Sequence, residues 1–152
     1  MKPRIYIDTS VLGGYFDDEF KTQTFEFFER VLREDFIIYF SEVNELELVL
    51  APSHIIKLKD AIPASILNYI ILTKEAEELA EIYVKENALG KASMNDAYHI
   101  ALATIHHIDC LVSWNFKHIV NFNKIKLFNS INLKLGYPMI DIRTPLEFIG
   151  ND

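Results

Sequence analysis

Short runs of β-branched and aromatic residues alternate with stretches of helical periodicity along this chain, and that alternation constrains its fold more than any other feature. Arg4-Ile5-Tyr6-Ile7-Asp8 and Phe36-Ile37-Ile38-Tyr39-Phe40 are nearly continuous apolar runs, as are Ile66 to Leu72 and Asp109-Cys110-Leu111-Val112-Ser113. Runs without polar alternation read as strands covered on both faces, the pattern of a parallel sheet. Between them, Thr22 to Arg33 repeats Phe25, Phe28, Val31 and Leu32 at helical spacing, with Thr22 or Thr24 as its cap. Ser41 caps a helix over Glu42 to Leu50 that Pro52 closes, and Thr73 caps Lys74 to Asn87, with Gly90 beyond its end. A further helix runs from about Ser93 to His107. Asn115 to Leu135 reads as short helical pieces, Met139 to Ile142 as a last strand, and Thr144-Pro145-Leu146-Glu147 as a capped short helix. Strand and helix in strict alternation imply an α/β protein: a three-layer α/β/α sandwich around a mostly parallel sheet of about four to five strands. At 152 residues the expectation is a single domain over 1–152.

Composition narrows the function. Half of the residues are apolar, which excludes a disordered chain. The formal charge of −7 provides no basic surface to hold nucleic acid by charge alone. The lone Cys110 cannot form an internal disulfide and reads as a small buried hydrophobe, and no signal-like start precedes the first strand, so the expected location is cytoplasmic. The longest uncharged apolar stretch, Ala61 to Thr73, is about 13 residues against the roughly 20 needed to span a bilayer, so no membrane segment is expected.

In parallel α/β sheets a ligand sits outside the carboxyl ends of the central strands. That rule directs attention to Asp8 after the first strand, to the acids following Ser41, and to Ser113 to Asn115 after the fourth. Each acid also has a purely structural reading. Asp8 can cap a turn, and Glu42 and Asp96 can stabilise the first turn of a helix through its dipole. Among Glu42, Glu45 and Glu47, the last is the better site candidate, because it stands between Leu46 and Leu48 in an otherwise apolar turn. Asp96 opens a helix rich in alanine, which permits close packing and sets its start deep in the molecule, with no Lys or Arg near in sequence.

Taken together, four segments resemble the PIN-domain ribonucleases, including VapC-type toxins: Ile7-Asp8-Thr9-Ser10-Val11-Leu12; Ser41-Glu42-Val43 with Glu47 six residues after the serine; Asn95-Asp96-Ala97-Tyr98-His99-Ile100-Ala101; and Leu111-Val112-Ser113-Trp114-Asn115-Phe116. The resemblance covers nearly the whole chain, and the order and spacing of the four make it far more specific than any one. It implies an endoribonuclease in which Asp8, Glu47 and Asp96 bind Mg²⁺ or Mn²⁺ for phosphodiester hydrolysis by an activated water, leaving 5′-phosphate and 3′-hydroxyl ends. All-oxygen ligands suit such hard cations. Ser10 and Ser113 are placed to steady the ion's waters. The chain departs from the family pattern at its fourth acidic position, where Asn115 stands for the usual Asp; an amide can ligate but adds no charge, which puts metal affinity and rate in doubt.

The resemblance also implies partners: an RNA substrate, a small cognate antitoxin that masks the acidic cleft, and a second copy of the chain, for which Phe25, Phe27 and Phe28 offer apolar surface. RNA contacts would fall to Lys91, Lys117 and Lys124. Trp114 and Phe116 are read as packing rather than base stacking, and His99 and His106 lack the third ligand of a zinc site, with His99 facing either site or core. Two rival readings remain. One is a catalytically weak PIN domain that binds RNA or protein. The other is a haloacid-dehalogenase-like phosphatase, which would place a second Asp where Ser10 stands.

Overall fold

The structure, a computed structural model, describes residues 1–150; the last two residues of the expected domain lie outside them. Five parallel strands form one sheet in the order β3-β2-β1-β4-β5: β1 (Arg4–Ile7), β2 (Ile37–Ser41), β3 (Leu67–Ile70), β4 (Cys110–Val112) and β5 (Ile142–Arg143). Among the described residues seven α-helices connect and cover them: α1 (Thr9–Gly14), α2 (Lys21–Leu32), α3 (Glu42–Leu48), α4 (Ser53–Asp60), α5 (Lys74–Lys85), α6 (Met94–Ile105) and α7 (Phe122–Lys134).

Three layers follow from the two-residue period of a strand. Ile5, Ile7, Ile38, Phe40, Cys110 and Val112 point to one face, where they pack with Val11 and Leu12 of α1 and Phe27, Phe28 and Val31 of α2. Tyr6, Tyr39 and Leu111 point to the other, against Leu79 and Tyr83 of α5, Ile100 and Ala101 of α6 and Phe128 of α7. Both faces are apolar because both are covered, and Cys110 is buried within the first core as expected.

Local signals for helix starts are met where a side chain can reach the free amides. Ser41 accepts from the Asn44 N–H, whose own side chain returns the bond, and Thr73, Asn121 and Thr144 cap in the same sense. Several boundaries differ from the sequence expectation. Helix α2 starts at Lys21, one residue before the expected Thr22, with Phe20 at the N-cap position and no side-chain cap; Thr24 instead donates to the Phe20 carbonyl. The turn that ends α5 uses Asn87 at positive φ, rather than Gly90. The stretch expected as short pieces holds one 13-residue helix, α7. Two helices lack a sequence signal: α1 contains Gly13 and Gly14, and α4 has no fully buried residue and so no clean apolar stripe. The last strand is only Ile142–Arg143, because Asn129 bonds both the N–H and the carbonyl of Ile140 and replaces the ladder there. No helix among the described residues is long and apolar enough to cross a membrane.

Candidate active site

The carboxyl ends of β1, β2 and β4 lie side by side, and each hands the chain to a polar residue. Asp8 follows β1, is 3% exposed, and is held by two hydroxyls: Ser10 Oγ donates to Oδ1 at 2.5 Å and Ser113 Oγ donates to Oδ2 at 2.8 Å. Ser113 follows β4 and accepts the Asn115 N–H at 2.9 Å, while Ser10 accepts the Trp114 N–H at 2.9 Å. The loop after β4 is thereby tied to the end of β1. Asn115 extends the chain of contacts by pointing its side-chain amide at Asp96 Oδ2, 3.4 Å away. Its amide oxygen is occupied, accepting the backbone N–H groups of Lys117 and His118 at 3.2 and 3.0 Å.

Glu47 enters from α3 by a separate route. Its Oε1 accepts the Thr9 hydroxyl at 2.7 Å and faces His99 Nε2 at 2.7 Å. Asn44 pins this corner, its amide donating to the Ile7 carbonyl and the Thr9 hydroxyl. The neighbouring acids go elsewhere: Glu42 accepts the Leu72 N–H, and Glu45 is exposed beside Tyr69.

Burial dominates the electrostatics. It pushes the Asp8 carboxyl up to about 6, against the opposing pull of His99 and of the Ser10 and Ser113 hydroxyls, and the nearby Asp96 raises it further. Asp96 is also raised, first by burial. For Glu47 burial acts in the same sense, but the His99 and Thr9 bonds outweigh it and hold the carboxyl below its usual range. No Lys or Arg forms an ion pair with any of the three among the described residues.

A divalent cation can be tested against this geometry. Among the described residues no three His, Cys, Asp or Glu side chains are grouped closely enough to hold a metal by themselves. Two buried or half-buried carboxylates without a basic partner, ringed by hydroxyl and amide groups, nevertheless match the needs of Mg²⁺ or Mn²⁺, which take one or two carboxylates and keep several waters. The donors are all oxygen and the pair is short of positive charge, so the residues fit such an ion.

The structure sorts the remaining candidates. Lys91 and Lys117 are exposed, the first in the turn leading into α6 and the second two residues past Asn115. Lys124 is otherwise engaged, because its ammonium donates to the Ala88 carbonyl at 2.9 Å. Trp114 is packing, stacked on Phe20 with its indole N–H on Thr24, whereas Phe116 is half exposed. Phe27 and Phe28 belong to the core, and only Phe25 of the three helix aromatics reaches the surface, at 42% exposure. Sequence reasoning missed Thr9, Tyr6 and Asn44. The one signal for Tyr6 was its hydroxyl in an otherwise apolar strand.

Among known proteins, the model of the PIN domain matches residues 5–117. No curated protein matches the sequence. The fold is shared with a toxin–antitoxin complex from Klebsiella pneumoniae at 19% identity and a TM-score of 0.54, covering 75% of this chain and 88% of that one. It is shared with VapBC2 from Rickettsia felis bound to a promoter DNA fragment, at 14% identity and a TM-score of 0.55 over 92% and 98% of the two chains. It is shared also with VapC20 of Mycobacterium tuberculosis, a sarcin–ricin loop cleaving toxin, at 14% identity and a TM-score of 0.56 over 75% and 92%. The matched span runs from β1 through the loop after β4 and contains every acid and hydroxyl of the site described above; this chain belongs to the PIN-domain family.

Proposed function

We propose that this protein is a divalent-metal-dependent endoribonuclease acting in the cytoplasm, the toxin of a toxin–antitoxin pair. The observation that carries the reading is the pairing of Asp8 and Asp96 through Ser113 and Asn115 at the end of a parallel sheet, with no lysine or arginine in an ion pair with either among the described residues. Membership of the PIN family supports it and removes the phosphatase alternative. Asp8 and Asp96 would hold Mg²⁺ or Mn²⁺, with Glu47 beside them. When bound, the ion supplies an activated water and neutralises charge during phosphodiester hydrolysis. The chain's own residues orient the acids: Ser10 and Ser113 fix both oxygens of Asp8, and Asn115 steadies Asp96 through its amide.

Lys91 and Lys117 are exposed basic groups on the loops that lead into α6 and follow Asn115, and two such contacts would hold RNA weakly and through few phosphates. The toxin–antitoxin assemblies among the solved structures that share this fold support a cognate antitoxin for this chain. A basic side chain entering between Asp8 and Asp96 is the simplest way for such a partner to silence the site. A second copy of the chain is a further partner, although Phe27 and Phe28 are buried and only Phe25 of the α2 phenylalanines is exposed to meet it. Single-stranded RNA incubated with Mn²⁺ and the purified protein, beside Asp8→Asn, tests the reading: the wild type cuts and the variant does not. Equal cutting by both, or none by either, rejects it. One observation favours the weaker reading, an RNA- or protein-binding module: the Asn115 oxygen is turned into its own loop. In that case RNA binds but is not cut.

A further inference from the structure

Beneath the acids lies a second row of polar groups that the proposed reaction does not use. Tyr6 precedes Asp8 by two residues on β1, and His99 follows Asp96 by three on α6. These are the spacings that put both members of each pair on one face, of a strand and of a helix. Tyr6 and His99 meet there: Tyr6 Oη lies 2.6 Å from His99 Nδ1 and 2.6 Å from Ser41 Oγ. The other ring nitrogen, Nε2, is 2.7 Å from Glu47 Oε1. The two rings are edge-on at 5.5 Å, Tyr6 is fully buried and His99 is 1% exposed.

Proton counting sets the direction of this row. Ser41 has one hydroxyl proton and two acceptors in reach, Tyr6 Oη and Asn44 Oδ1. If it goes to Tyr6, the Tyr6 hydroxyl donates to Nδ1 and the proton of a neutral His99 sits on Nε2. If it goes to Asn44, Tyr6 donates to Ser41 and both ring nitrogens carry protons. In either arrangement His99 presents an Nε2–H to Glu47 and donates to it. Glu47 Oε1 thus receives two bonds, from His99 and Thr9, while Oε2 takes none among the described residues.

We infer that His99 is a positioning residue of this site: backed by Tyr6 and Ser41, it fixes one oxygen of Glu47 and leaves the other available to the cluster of Asp8 and Asp96. The inference rests on the nuclease reading above. A buried histidine that merely fills the core would not need a directed partner on each nitrogen, nor a carboxylate as one of them. The glutamate is held from both sides, by a group on α1 and a group on α6, so its orientation is decided before any ligand arrives.

The test compares wild type, His99→Leu, His99→Gln and Tyr6→Phe, reading Mn²⁺ affinity by calorimetry, cleavage of single-stranded RNA, and thermal unfolding. Glutamine can donate to Glu47 and accept from Tyr6, whereas leucine fills the space with no donor. His99→Leu is expected to weaken Mn²⁺ binding roughly 10- to 100-fold, the usual effect of removing a partner of a metal ligand, with cleavage falling in parallel. His99→Gln recovers most of both, and Tyr6→Phe lies between. The imidazole ¹⁵N spectrum of the metal-free wild type shows Nε2 protonated. A folded His99→Leu that binds and cuts like wild type overturns the inference alone, as does an unprotonated Nε2. If His99→Leu does not fold, a His99→Gln and a Tyr6→Phe that are folded decide: wild-type Mn²⁺ binding in Tyr6→Phe together with none in His99→Gln overturns it. A wild type that neither binds Mn²⁺ nor cuts RNA overturns the nuclease reading and, with it, the inference.

Discussion

Ser113 stands one strand away from Asp8, and its hydroxyl donates to Asp8 Oδ2 at 2.8 Å while accepting the Asn115 N–H at 2.9 Å. One hydroxyl therefore sets both the carboxylate after β1 and the loop after β4. Ser113→Ala leaves a buried carboxylate oxygen and a backbone N–H without their partner. The expected cost is about 1 to 3 kcal/mol in urea unfolding. A loss below about 0.5 kcal/mol, the scale of ordinary surface changes, would show that the bridge carries no weight.

The buried Asp8 carboxyl makes metal-free stability depend on pH with a definite sign. Its folded value is raised to about 6 from an ordinary value of 3.8, so the native state binds the proton more tightly than the unfolded chain. The associated stability is fully present below the unfolded value and is lost as pH rises from about 4 through 6. That shift corresponds to about 3 kcal/mol. Asp8→Asn should abolish cleavage yet flatten this decline, so that the metal-free variant is the more stable protein at pH 7. Thermal unfolding in the presence of a chelator from pH 4 to pH 7 measures both slopes; parallel slopes would contradict the burial argument.

Asn115→Asp exchanges an amide donor to Asp96 for a fourth carboxylate beside Asp8, Glu47 and Asp96. Without metal the variant is less stable at pH 7, because the N–H to Asp96 becomes a like-charge contact. With Mn²⁺ the order reverses, and affinity rises about tenfold as the ligand charge increases. Calorimetric titration beside unfolding in chelator reads both effects, and a variant with unchanged affinity would place Asn115 outside the ion's reach.

Binding of RNA should be weak and only mildly salt-dependent. Lys124 is committed to the Ala88 carbonyl, which leaves Lys91 and Lys117 at the rim. Two phosphate contacts on a single strand give a slope of about −1.4 in log K against log salt, and Lys117→Ala should bring it to about −0.7. A titration of Asp8→Asn with fluorescent RNA at several salt concentrations tests this without cleavage; a slope beyond about −4 would demand more phosphate contacts than Lys91 and Lys117 can make.

Gly14 is required by contact rather than by conformation. A Cβ placed there would meet Trp114 Cδ1 and Nε1 at 2.6 Å and Thr24 Oγ1 at 3.0 Å. Gly14→Ala must displace the indole that is stacked on Phe20, at about 1 to 3 kcal/mol. A lower melting temperature with an altered Trp114 fluorescence is the expected result, and an unchanged spectrum would rule the contact out.

How much of this was legible beforehand depends on the range of each signal. The strand runs, the caps at Ser41, Thr73 and Thr144, and the polar residue ending each central strand are local features, written within a few neighbouring positions. They announced a parallel α/β sheet with its acids at one edge. Helices α1 and α4 were not legible, the first hidden by two glycines and the second by the absence of an apolar stripe. Ile140 escaped the last strand because a side chain on α7 supplies the bonds that a neighbouring strand would have given.

Partnerships across the chain lay beyond the sequence altogether. His99 meets Glu47 across 52 residues and Ser113 meets Asp8 across 105, and both contacts exist only because the strand order sets β2, β1 and β4 side by side under α6. The sequence alone determined that acids would stand at the carboxyl edge of a parallel sheet, since hydrophobic period and capping are properties of neighbouring residues. Only the tertiary structure decided that Asp8 and Asp96 are the acids burial drives toward their protonated forms and Glu47 the one kept charged, because desolvation and hydrogen-bond donation come from groups far apart in the chain.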